Sequence, residues 1–194
     1  MSNSPTKKIN MRVAVTKRML KEGLLRCLET KDLEEITISE LCKEAGINRA
    51  TFYKHFNSPF DLLNDIGLDH SEQIFELYNK TLSENPGNEE AAQLKCYEYL
   101  FNHKKDLQVL FSANADKYFA EFTMKYFREA WSNNLQFQKN YDLDPVEAKL
   151  AVTAFSWSTY CIVRQWILED LPKSPKEIVE LLKKVQPLNF IYKV

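Results

Sequence analysis

The stretch from Thr37 to Phe56, TISELCKEAGINRATFYKHF, limits what this chain can become more than any other. Thr37 and Glu40 form an S/T-x-x-E capping box, in which each side chain satisfies the other residue's free backbone N–H and so starts a helix. Ile38, Leu41 and Cys42 then recur at i, i+3 and i+4, which gives that helix one apolar face. Gly46 can adopt positive φ at no steric cost, as a helix C-terminus needs, and Ala45 is small enough for a second helix to pack close. Asn48 is a good N-cap for that second helix, which the pattern predicts from about Arg49 to His55 with Ile47, Phe52 and Phe56 inward. Asn48, Arg49, Ala50, Thr51, Tyr53, Lys54 and His55 are left outside. This outer face carries hydroxyls, cations and an amide, the groups that bond phosphates and base edges, and it contains no acid.

Spacing alone leaves two readings: a DNA-reading helix pair, or an ordinary helical hairpin whose Tyr and His cover the edge of a core. The string from Ile36 to Leu63, ITISELCKEAGINRATFYKHFNSPFDLL, closely resembles the DNA-binding domain of TetR-family transcriptional regulators. Ile38, Leu41, Ala45, Gly46, Ile47, Thr51, Phe52, Tyr53, Phe56, Asp61 and Leu62 carry the likeness, which covers roughly the first third of the chain. The resemblance implies a dimeric regulator with a small-molecule pocket in its second domain. In that family, lysines near the start of the following helix often grip phosphate. This sequence has Asn57 and Pro59 there, so contacts from that spot reduce to the helix N-terminus and its free N–H groups.

Four glycines in 194 residues and a heavy load of Leu, Lys, Glu and Ala favour helix throughout, and no alternating β-branched run suggests a strand. The fold class is therefore all-α, and a hydrophobic content of 44% is ample for a core. There is no signal-peptide core and no apolar run long enough to span a bilayer, which points to a cytoplasmic protein without membrane contact. Cys27, Cys42, Cys96 and Cys161 never form a C-x-x-C pair. Reduced, buried thiols are the simplest account of them, with a redox switch as the alternative. His55, His70 and His103 are widely separated, with no H-E-x-x-H, and neither G-x-S-x-G nor a phosphate-cradling glycine loop occurs. These absences argue against an enzyme and against a metal or other cofactor.

The net charge of −1 hides an asymmetry. Residues 1–60 hold eleven Lys and Arg against seven Asp and Glu, and the remainder holds fifteen against twenty. Lys7, Lys8, Arg12, Lys17 and Arg18 all precede the first acid, Glu22. Such a segment docks phosphates or enters a minor groove, or else residues 1–8 are a solvated tail.

A first helix from about Asn10 to Thr30, with Val13, Met19, Leu20, Leu24, Leu25 and Leu28 as its stripe, completes a three-helix N-terminal domain over residues 1–58. Ser58 and Pro59 then cap and open a helix that runs to about Ser83, long enough to belong to both domains. In the resembled family this helix links reader to ligand domain, and its swing changes the spacing of two readers. Asn85 to Asn88 make the clearest break. Helices follow over about 89–103, 106–113 and 115–140, the last crowded with aromatics that include Trp131 and Phe137. Tyr97, Phe101, Phe111, Phe119, Phe122 and Tyr126 are the candidate lining of an apolar ligand pocket, with plain core packing as the alternative for each. Asp144 and Pro145 start a nearly uncharged helix to about Leu168, and Ser174, Pro175 and Glu177 start the last one. Ala151, Ala154 and Ser158, small enough for a close approach, together with Ile178, Leu181 and Leu182, read as half of a four-helix dimer interface or as closure of the monomer's own core. In the resembled family the last two long helices pair across a two-fold axis, and WSTYCIVRQWILEDLPKSPKEIVELL is similar to the C-terminal domains of one TetR subgroup.

Together these readings imply a sequence-specific DNA-binding regulator. The form expected is a homodimeric repressor released from a pseudo-palindromic operator by an unidentified small-molecule effector. An activator or co-activator working with a protein partner is the alternative. Two recognition helices would lie about one DNA turn apart, roughly 34 Å. Arg49 and Ala50 are assigned to bases, with Asn48 adding polar contact. Thr51, Tyr53 and Lys54 are assigned to phosphates with help from Thr37, and His55 to a phosphate or to the helix end. Residues 59–194 make up the ligand-binding and dimerisation domain.

Overall fold

The computed structural model describes residues 5–132 and 144–185, which form nine α-helices and one 3-10 turn, with no strand among them. The helices are α1 (Pro5–Leu28), α2 (Ile38–Ala45), α3 (Arg49–Phe52), α4 (Pro59–Glu84), α5 (Glu89–Asn102), α6 (Lys104–Leu110), α7 (Asp116–Ser132), α8 (Pro145–Leu168) and α9 (Pro175–Val185). The 3-10 turn, Leu33–Glu35, lies between α1 and α2. The side chains of Lys7, Lys8 and Trp131, together with Phe137 and the far end of the helix expected to reach residue 140, lie outside the described residues.

Helices begin where the sequence supplies an acceptor. Thr37, Asn48, Ser58, Asn88 and Asp144 each accept a hydrogen bond from a backbone N–H of the first turn, and Ser174 does the same for Glu177 at 3.3 Å. Each such cap contributes about 1 kcal/mol. Gly46 ends α2 in the left-handed region, φ 66°, and the next residue's N–H donates to Cys42 O at 2.9 Å. Helix α3 is shorter than the pattern suggests. After one α turn, the N–H groups of Lys54 and His55 donate to Thr51 O and Phe52 O, an i→i−3 tightening. Phe56 N–H still reaches Phe52 O at 2.9 Å, and by Ser58, extended (φ −155°, ψ 165°) ahead of Pro59, the chain has left the helix.

Helix α1 crosses α2 at Gly23, where a side chain would meet Ala45 Cβ at 2.8 Å. Arg26 clamps the same crossing, donating to Glu44 Oε1 at 2.6 Å and to Glu44 O at 2.9 Å. The core is continuous: one cluster of buried residues runs from Leu20 through Phe52, Leu62 and Phe119 to Leu182. Helix α4 joins its two ends, burying Leu62, Leu63 and Ile66 near the reader and Ser71 farther along. Lys17 and Lys21 of α1 both pair with Asp65 of α4, at 3.0 and 2.7 Å, and Lys21 also reaches Asp69. Asn114 ties in the other flank, donating to Leu28 O at 2.8 Å and accepting from Leu33 N–H at 3.0 Å. Helices α7 and α8 pack together beyond α4, and α9 packs on α5.

Three expectations need correction. Val13 is exposed rather than part of the α1 stripe, because this segment of α1 lies ahead of its crossing with α2. Lys17 is not free for phosphate, since Asp65 holds it. Of the four thiols, Cys42 and Cys96 are buried, but Cys27 is half-buried and Cys161 is exposed.

Candidate functional site

The α2–α3 pair presents one outward face. Thr37 is engaged in its capping box: its hydroxyl accepts from Glu40 N–H at 3.2 Å while its own N–H donates to Glu40 Oε2 at 3.1 Å. Lys31 and these bonds hold the Glu40 carboxyl down to about 2. Asn48 Oδ1 accepts from Thr51 N–H at 2.7 Å, so the amide NH2 is what it can offer outward. Arg49, Ala50 and Lys54 are exposed, Tyr53 is 51% exposed with its ring edge-on to Phe52, and Thr51 and His55 are half-buried. Of the residues assigned to DNA, Thr37, Asn48, Arg49, Ala50, Tyr53 and Lys54 are thus exposed and Thr51 and His55 half-buried, all but Thr37 within the run from Asn48 to His55.

The cations of the domain divide into paired and unpaired ones. Lys17, Arg18, Lys21, Arg26 and Lys31 each pair with a carboxylate. Arg12, Lys43, Arg49 and Lys54 take part in no ion pair among the described residues, and of these only Arg49 and Lys54 lie in the acid-free run from Asn48 to His55. At the start of α4 the arrangement is less inviting to a phosphate. Asp61 sits in the first turn, accepting from Asn57 N–H at 3.0 Å and Asn57 Nδ2 at 2.8 Å, and Pro59 has no N–H to give.

A cavity of about 160 Å³ lies among α4, α5, α7 and α8. Tyr97, Phe111 and Phe119 line it, as the sequence suggested. Phe101, Phe122 and Tyr126 do not. Phe101 is turned to the other side of α5, where its ring stacks on Trp166 at 5.7 Å. Phe122 lies in the α4–α7 crossing, 3.0 Å from where a Cβ on Gly67 would sit. Tyr126 stands edge-on to Phe127, and it is Phe127 that reaches the cavity. His70, Ser71, Thr123 and Phe155 also line the cavity and were missed. Burial, with His103 adding to it, pushes His70 down to about 4, so its ring is neutral at pH 7 and meets the Tyr99 hydroxyl at 2.9 Å. Beside the cavity, Tyr160 OH donates to Asp116 Oδ1 at 2.6 Å and Arg164 Nε donates to Asp116 Oδ2 at 2.8 Å.

The residues assigned to a dimer interface divide. Ala154, Ser158 and Leu181 are exposed, whereas Ala151, Ile178 and Leu182 are buried within the chain, the last two on a helix packed against α5. Exposed apolar residues extend the α8 face: Val146 (66%), Leu150 (65%) and Trp157 (40%) fall with Ala154 and Ser158 at helical spacing.

Residues 22–66 match the family model described as bacterial regulatory proteins of the tetR family, and residues 87–187 match the TetR_C_8 model, a transcriptional regulator C-terminal region. The chain belongs to the TetR family. Both matched models describe transcriptional regulators. It is 22% identical over 163 residues to YxbF of Bacillus subtilis (strain 168), an uncharacterised HTH-type transcriptional regulator; the match takes in 82% of this chain and 41% of that protein. This TetR-family chain thus spans less than half the length of that relative. Its fold is similar to that of a TetR-family transcriptional regulator from Syntrophomonas wolfei (TM-score 0.67, 14% identity, 92% of this chain and 96% of that one). It is also similar to the fatty acid degradation regulator FadR from Bacillus halodurans (TM-score 0.65, 13% identity, all of both chains). Among the described residues no helix is long and apolar enough to cross a membrane, and no group of three or more His, Cys, Asp or Glu could hold a metal ion.

Proposed function

We propose that this TetR-family regulator is a cytoplasmic, homodimeric repressor that sits on an inverted-repeat operator and is released when a small molecule enters the cavity between α4, α5, α7 and α8. The observation that carries the DNA-reading half is the make-up of the run from Asn48 to His55: it contains no acid, and its exposed cations Arg49 and Lys54 enter no ion pair among the described residues. Arg49 is suited to a bidentate contact with guanine and Ala50 to a thymine methyl. Lys54, Tyr53 and Thr51 are placed to bond phosphates and fix the register, and the Asn48 amide adds a polar contact.

The dimer reading rests on the apolar face of α8. Val146, Leu150 and Trp157 flank Ala154 and Ser158, whose small side chains let a partner helix come close, and Leu181 on α9 adds to the same kind of surface. Release follows from α4. This helix is continuous from the Ser58 cap beside the reader to His70, Ser71 and Ile74 in the cavity wall. A ligand shifts operator affinity by as much as its own affinity differs between the two dimer arrangements, and no further.

The test is selection of bound sequences from a random duplex library near physiological salt, with the mass of the complex measured in parallel. An enriched inverted repeat bound by two chains supports the reading. Weak binding that varies only with salt and enriches nothing would overturn it. Transcription from a template bearing the selected site distinguishes the activator alternative, since a repressor lowers and an activator raises the yield.

A further inference from the structure

The cavity wall is almost wholly carbon, yet two hydroxyls in it have nothing to bond. Ser71 Oγ on α4 and Thr123 Oγ1 on α7 are shut off from solvent and lack a hydrogen-bond partner. The residues are 1% and 8% exposed. Leaving a buried hydroxyl unsatisfied is unfavourable by about 1–3 kcal/mol, so two such residues, on different helices that line one cavity, offer a guest's polar group a partner once a side chain turns about χ1 toward it. Two neighbouring polar groups are already engaged, Tyr160 with Asp116 and His70 with Tyr99. Among the described residues no Lys, Arg, Asp or Glu lines the cavity, and Asp116 behind it is matched by Arg164. A charged guest would lose its hydration and gain no counter-ion. Size limits the guest further. The cavity measures about 160 Å³, and an apolar protein cavity of about 150 Å³ holds one benzene ring. Phe111, Phe119, Phe127 and Phe155 supply flat apolar walls.

We propose that the cavity takes an uncharged molecule of about one aromatic ring bearing a single hydrogen-bonding group, the chemical class of phenols and small aromatic alcohols, seated with that group against Ser71 and Thr123. The proposal rests on reading the cavity as the effector site.

The probes are phenol, toluene, benzoate and benzylamine, each titrated calorimetrically at pH 7 into the full-length protein and into a Ser71→Ala/Thr123→Val variant. Because toluene and phenol differ in their own hydration, the quantity that decides is the phenol-to-toluene affinity ratio. It should fall about tenfold in the variant, the scale of one lost hydrogen bond, while toluene binding holds or tightens. Benzoate and benzylamine should bind at least tenfold more weakly than phenol. An unchanged ratio, charged probes that displace phenol, or no binding by any of the four overturns the proposal. Operator affinity at saturating phenol is measured separately. If phenol fills the cavity and its ratio falls in the variant, but DNA affinity does not move, the ligand class stands and the effector reading fails. If benzoate displaces phenol and releases DNA, the effector reading stands and the ligand class fails.

Discussion

Replacing Gly23 by alanine tests how tightly the reader is built. Gly23 lies inside α1, where alanine is ordinarily better than glycine by about 1 kcal/mol. The structure opposes that gain. The new Cβ would lie 2.8 Å from Ala45 Cβ, 3.0 Å from its Cα and 3.1 Å from its N, whereas carbon atoms in contact rest at about 3.5–4.0 Å. Two of these three atoms are α2 backbone and the third has no rotamer, so relief requires the helices to separate by about 0.5–1 Å. Arg26, bound to Glu44 next door, resists that movement. Overpacking of this kind costs about 1–3 kcal/mol, and with no flexible side chain to yield the upper half applies. Gly23→Ala should therefore destabilise the protein by about 1–2 kcal/mol net. In urea unfolding the midpoint falls and the slope is unchanged. Operator affinity falls with it, because α2 carries the Gly46 turn and hence α3. Adding Ala45→Gly removes only the first of the three close contacts and restores part of the loss. A midpoint that rises on Gly23→Ala would show that helix propensity decides at this position, and would refute the close-approach argument.

Other outcomes follow from the same coordinates. Arg49→Ala should cost about 1–3 kcal/mol on the selected operator and relax base preference, whereas Lys54→Ala should weaken all duplexes alike and lower the salt slope by about one; equal losses on operator and random DNA for Arg49→Ala would sink its base-reading role. Leu150→Asp, on the most exposed part of the α8 face, should shift the sedimenting species to single chains without lowering the unfolding midpoint of the isolated chain, and a persistent dimer would move the interface elsewhere. His70 is held below its unfolded value, at about 4 against 6.5, by burial and by His103, with Asp69 opposing and Lys21 reinforcing. Its contribution is thus complete above pH 6.5 and is lost as pH falls toward 4, about 2 kcal/mol by pH 5. His70→Gln should flatten that part of the stability profile, and a profile identical to wild type would assign the acid sensitivity to other groups.

What the sequence disclosed was local. The capping box at Thr37, the left-handed Gly46 and the Asn48 cap depend on residues within a few positions of one another, and each forms as its residue types require. The pattern overshoots the end of α3, where the N–H groups of Lys54 and His55 tighten to i→i−3 bonds that the spacing of apolar residues does not encode. Pocket residues were harder. An aromatic stripe at helical spacing fits the cavity wall and the ordinary core equally well, and only tertiary packing sends Tyr97 inward while Phe101 stacks on Trp166. Nothing in the sequence singles out Ser71 and Thr123. Their significance comes from burial without a partner, which no spacing encodes. Gly23 gave no signal either, since its need for a bare Cα arises from Ala45, twenty-two positions away. On α9 the apolar face was legible, but its partner was not: α5 covers Ile178 and Leu182, and Leu181 is left outward.

The shared helix α4 has a consequence for anyone who would recombine such proteins. The obvious seam, Ser58–Pro59, is punctuation in the chain, yet Leu62, Leu63 and Ile66 just beyond it fill the same buried cluster as Leu24, Phe52 and Phe56. Grafting a foreign sensor at that seam would exchange the floor of the reader along with the sensor. A workable splice falls after the turn that holds Asp65 and Asp69, which Lys17 and Lys21 grip from α1. The smallest transferable reading head in this protein therefore includes the first three turns of a helix whose next turns, from His70 on, wall the cavity, so the seam between the two parts falls inside one uninterrupted rod.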